Sequence, residues 1–188
     1  MRLFRVLSGS LLVVGVAGCQ EARQASAPTV AAFEAKPHGT LAQVMRGIPF
    51  PNSNIVFDTQ TKDPGASKSA IDRSSTAAAG GATGVYSSVY GGWQQVENSA
   101  VALAETATLI MLPGRLCENG LPVPLEQEAF RKAAQGLVEA GQAALKAAQS
   151  KNLDAMVEVS GTISDACLAC HEKYRDVPDG KMRCVPVP

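Results

Sequence analysis

At 188 residues, with 17 Lys and Arg against 17 Asp and Glu, the chain is long enough for one folded domain and carries no net charge. That balance excludes a nucleic-acid binder working through a basic face. Aromatic residues make up only 5%, and abundant Ala and Gly point to helices that can approach one another closely.

The N-terminus reads as a targeting segment. Arg2 and Arg5 precede an apolar run over residues 11–16 that is too short to span a bilayer. The run ends in Val16-Ala17-Gly18-Cys19, which resembles the lipobox of bacterial lipoproteins. That resemblance implies a signal peptide over residues 1–18 and acylation of Cys19, so that lipid rather than a spanning helix holds the chain to a membrane. An ordinary secretory signal is the alternative. Removal of Arg2 and Arg5 leaves the mature chain weakly acidic. Residues 19–37 are rich in Ala, Ser, Pro and Gln and read as a flexible tether.

The folded body is expected over residues 38–188. Thr40 can cap a first helix whose apolar face is Leu41, Val44, Met45 and Ile48. Pro49 and Pro51 are expected to disturb it, with Ile55, Val56 and Phe57 resuming it for a turn or two. Over about 58–92 the composition turns to Gly, Ser, Ala and Thr, an insertion without clear periodicity. A second helix is predicted from Trp93, with Val96, Ala100, Leu103, Ala107 and Ile110 on one face and Pro113-Gly114 ending it. A turn-rich connector carries Cys117. The third helix spans about 125–150, with Phe130, Ala134, Leu137, Gly141, Ala144 and Ala148 in one stripe. The fourth starts at Asn152, a good N-cap, with Met156, Val159, Ile163, Ala166, Cys170 and Tyr174 along its face. Four amphipathic helices in succession predict an all-α fold, an antiparallel four-helix bundle.

The last helix holds Cys167-Leu168-Ala169-Cys170-His171, and Cys-x-x-Cys-His is the spacing of a c-type haem attachment site. Residues three and four apart share a helix face, so both sulfurs and the imidazole present to one object. The two thiols are suited to thioether bonds with the haem vinyl groups, and His171 to the iron. The small faces of the third and fourth helices are expected to leave room between them for the flat macrocycle. A thioredoxin-like redox pair would want a βαβ setting and a helix N-terminus. A zinc site would need further ligands, which Cys117 and Cys184 could supply. With Cys19 assigned to lipid and Cys167 and Cys170 to haem, Cys117 and Cys184 remain, and an oxidising compartment favours a disulfide between them over two free thiols.

The run from Cys167 to Arg175, including His171, Tyr174 and Arg175, resembles the ending of the last helix in class II c-type cytochromes, the cytochrome c prime family. The likeness covers about 40–57 and 93–175. It implies an antiparallel bundle with one covalent haem c near an end and His171 as the proximal ligand. Electron carriers of that family set a first-helix methionine on the other face of the iron, and gas-binding members an apolar residue. Met45 falls on that position and is the expected sixth ligand, with plain core packing as the alternative. Pro49 departs from the family's smoother first helix. Arg175 is expected near a haem propionate or at the helix C-terminus. His38 is expected in solvent, and Met111 and Met156 in the core.

The expectation is a lipid-anchored monohaem electron carrier in the periplasm of a Gram-negative bacterium, passing single electrons between redox partner proteins. No catalytic constellation is visible, so an enzyme is not expected. The alternatives are a five-coordinate haem protein binding NO or CO, and an accessory haem subunit of a larger dehydrogenase. The family also implies a homodimer through the first two helices, although this first helix is short.

Overall fold

The computed structural model describes residues 35–66, 89–176 and 183–185. The signal peptide, Cys19, most of the tether and the central part of the insertion expected over 58–92 lie outside the described residues. Within them the chain is helical, with an isolated antiparallel bridge between Leu116 and Pro122. The five segments are α1 (Leu41–Gly47), α2 (Pro49–Asp58), α3 (Trp93–Ile110), α4 (Glu128–Gln149) and α5 (Leu153–Tyr174). No helix among the described residues is long and apolar enough to cross a membrane.

Thr40 opens α1 with a capping box: its hydroxyl oxygen accepts the Gln43 N–H at 3.3 Å, and the Gln43 side-chain oxygen accepts the Thr40 N–H at 2.8 Å. The two prolines act differently from the expectation. Pro49 is the first residue of a new ten-residue helix rather than a mere interruption. A first-turn proline loses no helical hydrogen bond, because the first N–H groups have no partner within the helix. The break falls at Ile48 (φ −123°, ψ −67°), and α1 and α2 together fill the place of the expected first helix.

Helix α3 packs broadly on α4, α4 on α5, and α2 on α3 with a smaller contact to α5. The predicted stripes are the buried ones, except that Ala166 and Cys170 of α5 are half-buried. Val96, Ala100, Leu103, Ala107 and Ile110 of α3, and Phe130, Ala134, Leu137, Gly141, Ala144 and Ala148 of α4, are all buried. So are Met156, Val159, Ile163 and Tyr174 of α5. Helix α4 starts three residues later than predicted, because residues 124–127 form a turn closed by the Gln127 N–H on the Pro124 carbonyl at 3.1 Å. Asn152 caps α5 by accepting the Ala155 N–H at 3.0 Å.

Small residues set the helix spacing. A Cβ added to Gly141 would stand 2.6 Å from the Ala104 backbone nitrogen, so α3 and α4 are in direct contact there. Ala140, Ala144, Ala147 and Ala148 are buried together with Met156, Val159 and Ile163 of α5. Room for a macrocycle was expected between these alanine faces. The alanines instead let the helices close up over most of their length, leaving between them a cleft of about 40 Å³ beside Ala134, Leu137, Ala166 and Cys170, and the larger open space lies elsewhere.

Candidate functional site

That space is a cavity of about 450 Å³ bounded by α1, α2 and the last turns of α5. Helix α1 has the apolar face that its sequence predicts, yet none of its residues is buried. The reason is geometric: Leu41 and Met45 pack half-buried against the cluster around Phe130 and Tyr174 and also border the cavity. Phe50, Ser53 and Phe57 of α2 and Phe130 of α4 continue the wall.

Cys167, Cys170 and His171 of α5 line this cavity on the same helix face, and so does Met45. The same four residues also border a smaller apolar cleft of about 40 Å³ that reaches Ala134, Leu137 and Ile110. Tyr174 fixes the end of the helix beneath them. Its ring meets Phe130 edge-on at 5.1 Å between centroids, and its hydroxyl is 3.1 Å from the Gln127 side-chain oxygen.

Burial pushes the Cys170 thiol up to about 11, with the neighbouring Cys167 adding to the rise and Arg175 opposing it. The Cys167 thiol is raised by burial as well, again against Arg175. A catalytic or redox-active thiol is normally activated in the opposite direction, toward the thiolate. The pair therefore lacks the electrostatics of a thioredoxin-like centre. Burial, assisted by Arg175, lowers the His171 pKa, while Asp176 opposes this. A neutral imidazole keeps a nitrogen lone pair for a metal.

Cys117 and Cys184 stand at disulfide distance, with Cα atoms 6.5 Å apart, inside the range that a bridge requires. They are spent on each other rather than on a zinc ion. Among the described residues, no group of three or more His, Cys, Asp or Glu side chains forms a metal cluster. The bridge brings the C-terminal segment onto the cavity, where both cysteines join the wall. The Cys184 N–H also donates to the Tyr174 carbonyl at 2.9 Å.

The remaining predicted residues divide. Arg175 lines the cavity, but its Nε and Nη2 are held by the Asp176 carboxylate at 2.6 and 3.0 Å. His38 is exposed and lies outside the cavity lining. Met156 is fully buried in the core, and Met111 packs half-buried against the cluster around Ile110 and Phe130.

Sequence reasoning missed a charged rim. Glu118 accepts from Arg46 Nη2 and from Arg183 Nη1, each at 2.8 Å, one on each carboxylate oxygen. All three side chains line the cavity. Glu118 is held below the usual carboxylate range, first by the Arg46 hydrogen bond. The signal was available in part, because Glu118 follows Cys117 and Arg183 precedes Cys184, so pairing the cysteines brings opposite charges together. Arg115 was missed entirely. It is buried, and it ties the end of α3 to the start of α1 by donating to the Leu109 carbonyl at 2.8 Å and the Gly39 carbonyl at 2.7 Å.

Fold and site thus define a helical protein whose last helix offers two thiols and an imidazole to an apolar cavity. No family model, curated protein or solved structure matches the chain.

Proposed function

We propose that this is a monohaem c-type cytochrome that carries single electrons between redox partner proteins. The observation that carries the reading is that one cavity gathers the Cys167, Cys170 and His171 of a Cys-x-x-Cys-His motif and, from a different helix, Met45. The residues present fit a haem. The volume falls within the roughly 300–1,000 Å³ typical of pockets for organic ligands, the wall is mainly apolar, and the thiols share a helix face with the imidazole. Haem held there supplies a one-electron iron couple, whose potential a thioether ligand raises.

In this reading Cys167 and Cys170 anchor the porphyrin covalently. His171, whose pKa burial lowers, would hold the iron, and Met45 would supply a further ligand to it. Phe130, fully buried, and Phe57, half-buried, would give the ring apolar contact, while Phe50 stands exposed at the cavity's edge. The finer family reading follows from the same motif: an antiparallel bundle of the cytochrome c prime kind, without enzymatic activity of its own. Attachment through acylated Cys19 to a membrane facing the periplasm, and pairing of two copies through the first helices, belong to the same proposal and rest on sequence resemblance alone.

The test is export of the full chain in a bacterial host with cytochrome-maturation machinery, followed by intact mass measurement and absorption spectra in both oxidation states. The expected result is one porphyrin increment and a methionine–iron charge-transfer band in the oxidised form that is lost in Met45→Ala. A mass without porphyrin overturns the proposal. A high-spin spectrum at neutral pH overturns Met45 as a ligand and turns the reading toward a five-coordinate haem that binds NO or CO.

A further inference from the structure

We propose that Arg183 is a carboxylate-binding residue, carried to the cavity by the disulfide-held C-terminal segment to receive a propionate of the attached haem. This inference rests on the haem reading above and adds a residue to that site.

Three attachments fix the segment that bears it. Cys184 is bridged to Cys117, the Cys184 N–H donates to the Tyr174 carbonyl at 2.9 Å, and the Arg183 carbonyl accepts from Asn119 Nδ2 at 2.9 Å. The guanidinium is then oriented by Glu118, which takes its Nη1 at 2.8 Å. What this leaves is an unanswered donor. Arg183 Nε is buried and, among the described residues, has no hydrogen-bond partner. A buried donor without an acceptor is costly, and the side chain as a whole, 40% exposed, borders the cavity.

The charge at the rim points to the same ligand chemistry. Arg46, Arg175 and Arg183 all line the cavity. Glu118 serves two of them at once, and Asp176 answers the third, so one positive charge is left over. An apolar cavity with a cationic surplus at its mouth suits an apolar body that ends in a carboxylate. An Arg N–H to carboxylate bond is among the stronger hydrogen bonds a protein makes. Arg175, which the sequence suggested for this task, has two of its donors held by Asp176. Arg183 has the better claim.

The experiment uses the full chain with haem attached, grown on 5-aminolevulinate labelled with ¹³C at its carboxyl so that the two propionate carboxyls are visible by NMR. Their shifts are followed against pH in the reduced protein. In the parent chain one propionate ionises below the usual carboxylate range, because a neighbouring guanidinium favours its charged form. In Arg183→Gln that midpoint rises by about one pH unit, a tenfold change in proton affinity. Arg183→Lys keeps the charge and the pairing with Glu118 but loses Nε, and moves the midpoint less in the same direction. It also supplies the reading if the glutamine variant fails to fold. Propionate titrations that superimpose on the parent's in the folded variants overturn the role of Arg183 and leave the haem reading intact. A parent chain without porphyrin by mass overturns both.

Discussion

Gly141 lets α3 and α4 meet directly, because nothing larger than hydrogen fits between it and the Ala104 backbone. Gly141→Ala should force α3 and α4 apart, at a cost of about 1–3 kcal/mol for overpacking, read as a lower midpoint in urea denaturation with an unchanged slope. An unchanged midpoint would mean the two helices part without cost. Single residues were legible in the sequence where periodicity governs them, as with Leu103, Ile163 and Met156, all fully buried. Arg183 and Arg115 were not legible, since their roles depend on neighbours that only the folded chain brings near. Met45 lies between these cases. Its helix face was plain, but its place in the same cavity as His171 depends on how α1 docks.

Among the elements, α5 has the clearest boundary signals. Asn152 caps it through the Ala155 N–H, and the preceding Lys151 takes a left-handed conformation (φ 53°) that turns the chain out of α4. Asn152→Ala should cost about 1 kcal/mol, measured by thermal denaturation of the otherwise unaltered protein. No loss would show that the cap adds nothing at this end. The far end of the same helix bears the thiols, so on the haem reading proposed above the absorption spectrum is expected to remain unchanged. The start of α5 could be read from one residue. The split of the first helix could not be placed in advance, because a proline can terminate a helix or begin the next one with little local difference in sequence. The third helix was read three residues too early for a related reason: Leu125 continues the apolar pattern but belongs to a turn.

For the molecule as a whole, the core falls into two groups. One joins α2, α3, α4 and α5 around Leu103 and Met156, and the other gathers Phe130, Tyr174 and the disulfide beside the cavity. The Cys117–Cys184 bridge spans a sequence separation of 67, and closing so long a loop stabilises by roughly 4 kcal/mol in the chain-entropy model. Replacing both cysteines with serine should lower the denaturation midpoint by a corresponding amount and loosen the C-terminal segment, seen as faster amide exchange at Cys184 and its neighbours. An unmoved midpoint would show that the second group holds without the bridge. The helical class and the sharing of one helix face by Cys167, Cys170 and His171 were legible because both follow from local spacing. The location of the cavity was not, since it depends on which alanine faces close up and which apolar face is left uncovered.

The bridge has one more consequence, concerning the order in which the chain is finished. Cys117, Cys167, Cys170 and Cys184 in one folding domain allow wrong partnerships, and on the haem reading proposed above any that involves Cys167 or Cys170 would block thioether formation. Disulfide exchange proceeds through the thiolate, and burial raises both Cys167 and Cys170 toward the protonated, slow-reacting form. On the haem reading proposed above, packing would then sort maturation: the more deeply buried pair, Cys117 and Cys184, joins before the fold closes over it, and the half-buried Cys167 and Cys170 stay within reach of the cofactor.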